Sequence, residues 1–377
     1  MLFLNSPTIF SVDQARERAQ RRLPKMLFDF IDGAAGNEQA KKRNRAALEE
    51  IHLQPRVLVN VDGRKLNTTF LGQNWGLPFG IAPMGMCALA WPKADEMLAN
   101  AAVNYNIPLC LSTAGSASIE EVYAQAKENA WFQLYVSGSA EQAFELVERA
   151  QAAGYKNLIF TVDVPQVAPR LRDLRNGFGV PFKIGLKQFI DFAIHPRWSL
   201  TTLFTTGAPK LANFDDSTGG KTFKRHASRG FVDWTFLDEL RAKWKGNLIV
   251  KGVTSADDAQ RIQAAGADAI YVSNHGGRQL DSVPPAIHIL PKIRQVVDTD
   301  YPLIFDGGVR SGESIVKALA LGADFVMLGR PFLYGIGANG QKGLNDVIES
   351  LSNEISVTMA QVGRTDIQNI DSSVVAK

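Results

Sequence analysis

Nine residues, Ser273 to Asp281, read SNHGGRQLD. A histidine and an arginine stand three positions apart, with two glycines between them. Imidazole takes up a proton near neutral pH, and guanidinium binds a carboxylate through paired hydrogen bonds. In a bend with so little bulk, the two suit a substrate whose carboxylate sits beside the group to be deprotonated. His275 is the candidate base and Arg278 a candidate carboxylate clamp, with Arg170 as a second cation. Asp163, in TVDV, is placed to accept the imidazole N–H and stabilise its charged form. His52, His195, His226 and His288 have no such neighbours and read as structural or surface residues.

Two further stretches suit an anion. DGGVRSGES (Asp306–Ser314) and LGRPF (Leu328–Phe332) each combine glycine with arginine. Glycine lets backbone N–H groups approach a phosphate, and a following helix start adds its dipole. Lys251, in VKG, ends an apolar run and needs an anionic partner if buried. GIGANG (Gly335–Gly340) matches GxGxxG but opens no strand–turn–helix unit, so it is not read as a dinucleotide site.

These residues need elements to hold them. From about residue 78, short apolar runs alternate with amphipathic stretches: PFGIAP, IPLCLST, WFQLYV, NLIFTVDV, NLIVKGV, AIYVSNH, PLIFDGG and FVMLGR. Such continuous runs are those of strands buried on both faces. Between most of them lie helical stretches such as SIEEVYAQAKE and SADDAQRIQAAGA, with Ser at the N-cap position. Eight strand–helix units predict a (β/α)8 barrel, with an open doubly wound sheet as the alternative. In that barrel the chemistry-bearing residues all fall at strand C-terminal ends, the catalytic face.

A single domain is expected over 1–377. Residues 1–77 form a helical extension with Pro24 at a junction, 78–340 the barrel, and 341–377 a C-terminal helix and tail. The unit after the fourth strand is abnormal, since residues 165–232 intervene before the next helix. Within Lys183–Arg229 eight Lys/Arg face three Asp/Glu, an excess above the whole chain's +3, and KIGLKQFIDFAIHPRWSLTTLF adds apolar residues and Trp198. The insertion reads either as a membrane-surface element or as an active-site lid. The mild overall charge gives no reason to invoke nucleic acid. Cys87 and Cys110 form no CxxC, which leaves no zinc or disulfide framework and fits a reducing compartment. MLFLNSPTIFSVDQ lacks the marks of a signal peptide, and no apolar run is long enough to span a bilayer.

From RLPKMLFDFIDGAAG to the C-terminal helix, the chain resembles the FMN-dependent 2-hydroxy acid oxidases and dehydrogenases. SNHGGRQLD carries the resemblance, with WFQLYV, TVDVP, IVKGV, DGGVRSG and LGRP in the same order. AWPKADEML and LSTAGSASIEE are nearest the mandelate and lactate dehydrogenase branch. The resemblance implies FMN as cofactor, with no metal, and oxidation of an L-2-hydroxy acid to a 2-oxo acid. It implies that His275 is the base and Asp163 its partner, that Arg170 and Arg278 bind the substrate carboxylate, and that Tyr135 contacts the substrate hydroxyl. Pro83, Met84, Gly85, Ser112, Gln133, Thr161 and Ser273 match positions around the flavin ring, and Lys251 the lysine beside it. Asp306, Gly307, Gly308, Arg310, Gly329 and Arg330 match the ribityl and phosphate contacts.

Glycine at 85, where oxidases commonly carry alanine, favours a dehydrogenase passing electrons to a quinone or another acceptor. The alternatives are an oxygen-using oxidase, or a family member acting on an atypical substrate because Phe30 replaces the usual tyrosine. A homotetramer is implied, cytoplasmic or peripheral on the cytoplasmic membrane face. The sequence departs from the pattern at PKMLFDF, where Phe30 replaces a tyrosine that helps hold the carboxylate. Ala114 likewise replaces an aromatic residue of glycolate oxidase and implies a wider pocket.

Overall fold

The structure, a computed structural model, describes residues 7–179, 184–206, 211–214 and 229–376, the side chains of 204 and 206 excepted. The first six residues of the leader reading lie outside it, as does His226. Of the basic residues counted in the insertion, Lys187, Arg197 and Arg229 lie within it.

Eight parallel strands close into a barrel. They are β1 (Phe79–Met84), β2 (Leu109–Ser112), β3 (Ala130–Leu134), β4 (Asn157–Thr161), β5 (Asn247–Val253), β6 (Ala269–Val272), β7 (Leu303–Phe305) and β8 (Phe325–Leu328). Each pairs with the next, and β8 closes on β1 through Leu328 opposite Ile81. The intervening helices start where their caps stand. Ser118 and Glu121 form a capping box, Ser139 caps the helix before β4, and Ser255 caps the helix after β5.

Strand side chains alternate in direction, and that parity builds the site. In β5, Leu248 and Val250 join the outer core beneath the helices, whereas Ile249 joins Ile159, Trp131 and Cys110 inside the barrel. Two residues further along, the inward positions become Ser112, Gln133, Thr161 and Lys251. The apolar interior therefore ends in a polar layer at the C-terminal rim. At the opposite end a hairpin not foreseen from sequence, Thr68–Phe70 with Gln73–Trp75, plugs the barrel. Phe70 stacks on Phe325 at 5.1 Å, and Trp75 meets Trp131 edge-on at 6.0 Å.

Before the barrel come α1 (Val12–Arg22), α2 (Lys25–Asp32) and α3 (Gln39–Glu49), with Pro24 between the first two. The terminal helix Arg330–Gln361 contains GIGANG in its buried, kinked stretch, which accounts for those glycines by packing.

The insertion carries helices Leu171–Asn176, Leu186–Ala193 and Pro196–Thr206. Trp198 is not a surface anchor, contrary to the expectation that grouped it with the exposed apolar residues. It is 2% exposed, lies tilted against Phe192 at 5.2 Å, and donates from Nε1 to Leu89 O at 2.8 Å. A tryptophan with its N–H satisfied is a core residue here. Leu186, Phe189, Ile190 and Ile194 do face outward, at 52–77% exposure. Asp191 turns the other way and caps α2, accepting from the backbone N–H of Lys25 and Met26 at 3.0 and 3.1 Å.

Candidate active site

The polar layer is hydrogen-bonded in two chains. Ser112 Oγ donates to Gln133 Oε1 at 2.9 Å, and Gln133 Nε2 donates to Thr161 Oγ1 at 3.1 Å. Lys251 Nζ donates to Ser273 Oγ at 3.0 Å, and Ser273 Oγ to Asp306 Oδ1 at 2.5 Å. Lys251, 3% exposed, finds its anionic partner in Asp306 at 3.6 Å, so its burial does not by itself require a negatively charged ligand. Such buried groups persist only when hydrogen-bonded, as these are.

His275 sits just past β6. Its Nδ1 lies 2.9 Å from Asp163 Oδ1, and its Nε2 lies 3.1 Å from the Tyr135 hydroxyl. The carboxylate fixes the Nδ1–H tautomer, so Nε2 keeps a lone pair that faces the pocket beside Tyr135. Burial pulls the imidazole pKa below its usual value. Asp163 opposes that shift, and Lys251 and Arg170 add to it. Burial pushes the Asp163 carboxyl up, but His275 and Lys251 outweigh this and leave it below its usual range. The resting pair is therefore a neutral imidazole on an ionised carboxylate.

His275, Gly276 and Gly277 all have positive φ, at 56°, 60° and 76°. A side chain on Gly277 would meet the backbone N of Lys41 at 2.6 Å, and one on Gly276 would meet Arg330 Nη1 at 2.6 Å. The glycines thus clear space for α3 and for an arginine. The rest of SNHGGRQLD docks on α3 too. Asn274 exchanges two 2.8 Å hydrogen bonds with Asn44, and Asp281 accepts from the N–H of Asn37 and Ala40. Sequence reasoning missed Asn274, Asp281 and Asn44 as positioning residues, because nothing local marks α3 as their partner.

Arg278 is held by α2. Its Nη1 donates to the carbonyls of Phe30 and Gly33 at 3.0 and 2.8 Å, and its guanidinium lies 5.4 Å from the Phe30 ring. Phe30 stacks on Phe178 at 4.3 Å. Arg170 precedes the helix Leu171–Asn176, and its side chain is 11% exposed, 4.0 Å from Asp173. One pocket is lined by Phe30, Tyr135, Arg170, Lys251, His275 and Arg278. Pro83, Met84, Gly85, Ser112, Asp306, Gly307, Gly308, Arg310, Gly329 and Arg330 line it as well. Of the expected site residues, Asp163, Gln133, Thr161 and Ser273 stand behind that lining, each bonded to a member of the site. Ala114 lines the pocket, as does Arg229, which sequence reasoning had counted only among the insertion's charges.

At one end of the pocket, Arg310 and Arg330 lie at the starts of the last two barrel helices, one near Ser311 and one at the head of the terminal helix. Arg330 donates to the carbonyls of Ile31, Gly276 and Gly33, and Arg310 to that of Val309. Among the described residues neither has a carboxylate within ion-pair distance. Burial lowers both pKa values, Arg278 lowers that of Arg330 further, and Arg330 lowers that of Arg310. Two desolvated cations beside glycine turns and helix starts fit a phosphate. The polar layer between that end and His275 offers donors and acceptors to a flat heterocycle. These residues fit FMN.

The model of the family described as FMN-dependent dehydrogenase matches residues 19–377. An (S)-mandelate dehydrogenase of Pseudomonas putida is 40% identical over 371 residues, covering 97% of this chain and 93% of that protein. An L-lactate dehydrogenase of Pseudomonas syringae pv. syringae is 37% identical over 98% of this chain and 99% of its own. The crystal structure of a monotopic membrane protein, (S)-mandelate dehydrogenase, superposes with a TM-score of 0.93 at 39% identity, covering 98% of this chain and 100% of that one. With its closed barrel, its phosphate end and a match over nearly its whole length, the chain belongs to the family of FMN-dependent dehydrogenases.

Proposed function

We propose that this protein oxidises an L-2-hydroxy acid to its 2-oxo acid as a dehydrogenase, with His275 as the base. The observation that carries this reading is His275 Nε2, directed into a pocket with Arg170 and Arg278 while Asp163 holds Nδ1 at 2.9 Å. Arg278 and Arg170 bind the substrate carboxylate and present the hydroxyl-bearing carbon to His275. The Tyr135 hydroxyl, 3.1 Å from Nε2, orients the substrate hydroxyl. His275 takes the hydroxyl proton, and Asp163 stabilises the imidazolium that results. The chemistry that FMN would supply when bound is acceptance of the hydrogen leaving that carbon together with its electron pair. Ser112 and Lys251, backed by Gln133 and Ser273, would hold the ring, and Arg310 and Arg330 its phosphate. As a dehydrogenase the protein would use a quinone or another acceptor other than oxygen. Anaerobic mixing with L-lactate and with (S)-mandelate should bleach the flavin, and air should restore it slowly. A flavin-loaded protein bleached by no 2-hydroxy acid refutes the reading, and rapid re-oxidation in air makes it an oxidase.

A seat at a membrane surface belongs to the same proposal. Leu186, Phe189, Ile190 and Ile194 lie on one side of the insertion helix and face outward, beside Lys187 and Arg197. Exposed apolar side chains rimmed by cations suit an anionic bilayer surface. The monotopic membrane character of the similar mandelate dehydrogenase supports this. No helix among the described residues is long and apolar enough to cross a membrane.

A further inference from the structure

Arg229 is a buried cation in the pocket wall. It is 6% exposed. Its backbone N–H donates to Pro165 O at 2.9 Å, and its Nε donates to Val136 O at 2.6 Å. These two bonds pin both ends of the residue beside the end of β3. The guanidinium carbon lies 5.8 Å from the Tyr135 ring. Its Nη1 is buried and has no hydrogen-bond partner, and no carboxylate among the described residues lies within ion-pair distance. Yet Arg229 lines the same pocket as His275, Arg170 and Arg278.

A desolvated guanidinium with an unused N–H is costly, and a leucine or methionine would fill the space without that cost. Of the other cations of the pocket, Lys251 has Asp306, Arg170 has Asp173, Arg278 has the carbonyl end of α2, and Arg310 and Arg330 form the phosphate end. The Val136 bond uses Nε and leaves the Nη1–Nη2 edge, which can fork onto a carboxylate. Phe30 offers no hydroxyl on the far side of the pocket, so a further donor has a use there.

We infer that Arg229 is a third substrate-binding arginine that takes a carboxylate oxygen of the substrate; this rests on the 2-hydroxy acid reading above. Two sources supply such an oxygen: the carboxylate next to the reacting carbon, or a second carboxylate on the substrate side chain.

The test compares wild type, Arg229→Met and Arg229→Lys, each with FMN bound, using L-lactate with one carboxylate and L-malate with two. In Arg229→Met, kcat/KM should fall about tenfold or more, mainly through KM, with partial recovery in Arg229→Lys. A fall with both acids assigns the reacting-end carboxylate. A fall with malate alone assigns the side-chain carboxylate. Unchanged kcat/KM for both acids overturns the inference. Oxalate titrated against the oxidised flavin gives a readout independent of turnover. Its Kd should rise about tenfold or more in Arg229→Met, and an unchanged Kd there, in a wild type that turns over neither acid, overturns the inference separately from the function. If Arg229→Met does not retain FMN, the same measurements on Arg229→Lys decide, and wild-type values there overturn it.

Discussion

A base works only while its lone pair is available, and burial keeps the one on His275 available by lowering its pKa. The acid limb of kcat/KM should therefore lie below the ordinary histidine value of about 6.5, with the rate rising as pH climbs through it. Asp163→Asn removes the charge that holds the pKa up. The limb should move to still lower pH while the maximal rate falls, because the imidazolium loses its counter-charge. A pH profile of flavin reduction for both proteins checks this, and a limb above 7 in wild type contradicts it. His275→Gln should lose about 10²–10⁴-fold in reduction rate with FMN retained; reduction at the wild-type rate would remove His275 from the mechanism. Phe30 makes a different prediction. Its ring stacks on Phe178 at the pocket wall and offers no donor. Small acids should turn over poorly, and larger apolar ones better, since they bury area beside Ala114 at about 25 cal/mol per Å². Phe30→Tyr should raise kcat/KM for lactate by about tenfold, the equivalent of one hydrogen bond of about 1.4 kcal/mol. If wild type already prefers lactate to mandelate, and the tyrosine slows it, this account of the pocket fails.

At the scale of elements, the barrel strands were legible because apolar runs between capped amphipathic helices leave few alternatives. Inward parity was hidden, since a strand buried on both faces shows no alternation. The polar rim of Ser112, Gln133, Thr161 and Lys251 emerges only once closure decides which residues point inward. The hairpin at the barrel bottom escaped notice because three-residue strands carry almost no periodic signal. The insertion shows the same limit: composition marked it as basic and apolar, but only packing separates buried Trp198 from exposed Phe189 and Ile190. Its membrane role is testable on that division. Wild type should sediment with vesicles containing anionic lipid at low salt and be released as salt rises. Phe189→Asp with Ile190→Asp should abolish pelleting and leave anaerobic flavin reduction intact, as both side chains face away from the pocket. No pelleting of wild type at low salt leaves the insertion as a lid.

Over the whole molecule, the site is held by parts of the chain far apart in sequence, and Asp32 joins them. It is 1% exposed and takes hydrogen bonds from Arg16 of α1 at 2.8 Å, Arg172 of the insertion at 2.7 Å, Lys41 of α3 at 3.2 Å and Tyr334 of the terminal helix at 2.8 Å. Nothing in FDFIDG announces this, because each donor comes from a different segment and only the closed fold assembles them. Burial pushes the Asp32 carboxyl up, but Arg16, Lys41 and Tyr334 pull it far below the carboxylate range. A depressed folded-state pKa means stability that is fully present above the unfolded value of about 3.9 and is lost as pH falls below it. Asp32→Asn keeps the shape and removes the charge. It should cost about 1–3 kcal/mol at pH 7, the range for hydrogen bonds to a charged group, and the difference from wild type should shrink at low pH. Chemical unfolding midpoints of both proteins at pH 7 and pH 3, with FMN saturating, measure this. The same change should reach the chemistry. Asp32 ends α2, whose carbonyls hold Arg278, and Arg172 lies two residues from Arg170. Loosening that junction lets both arginines drift from the substrate carboxylate, so KM for a 2-hydroxy acid should rise more than kcat falls. Equal midpoints and an unchanged KM would show that the donors around Asp32 find other partners, and that the N-terminal helices hold the site by apolar packing alone.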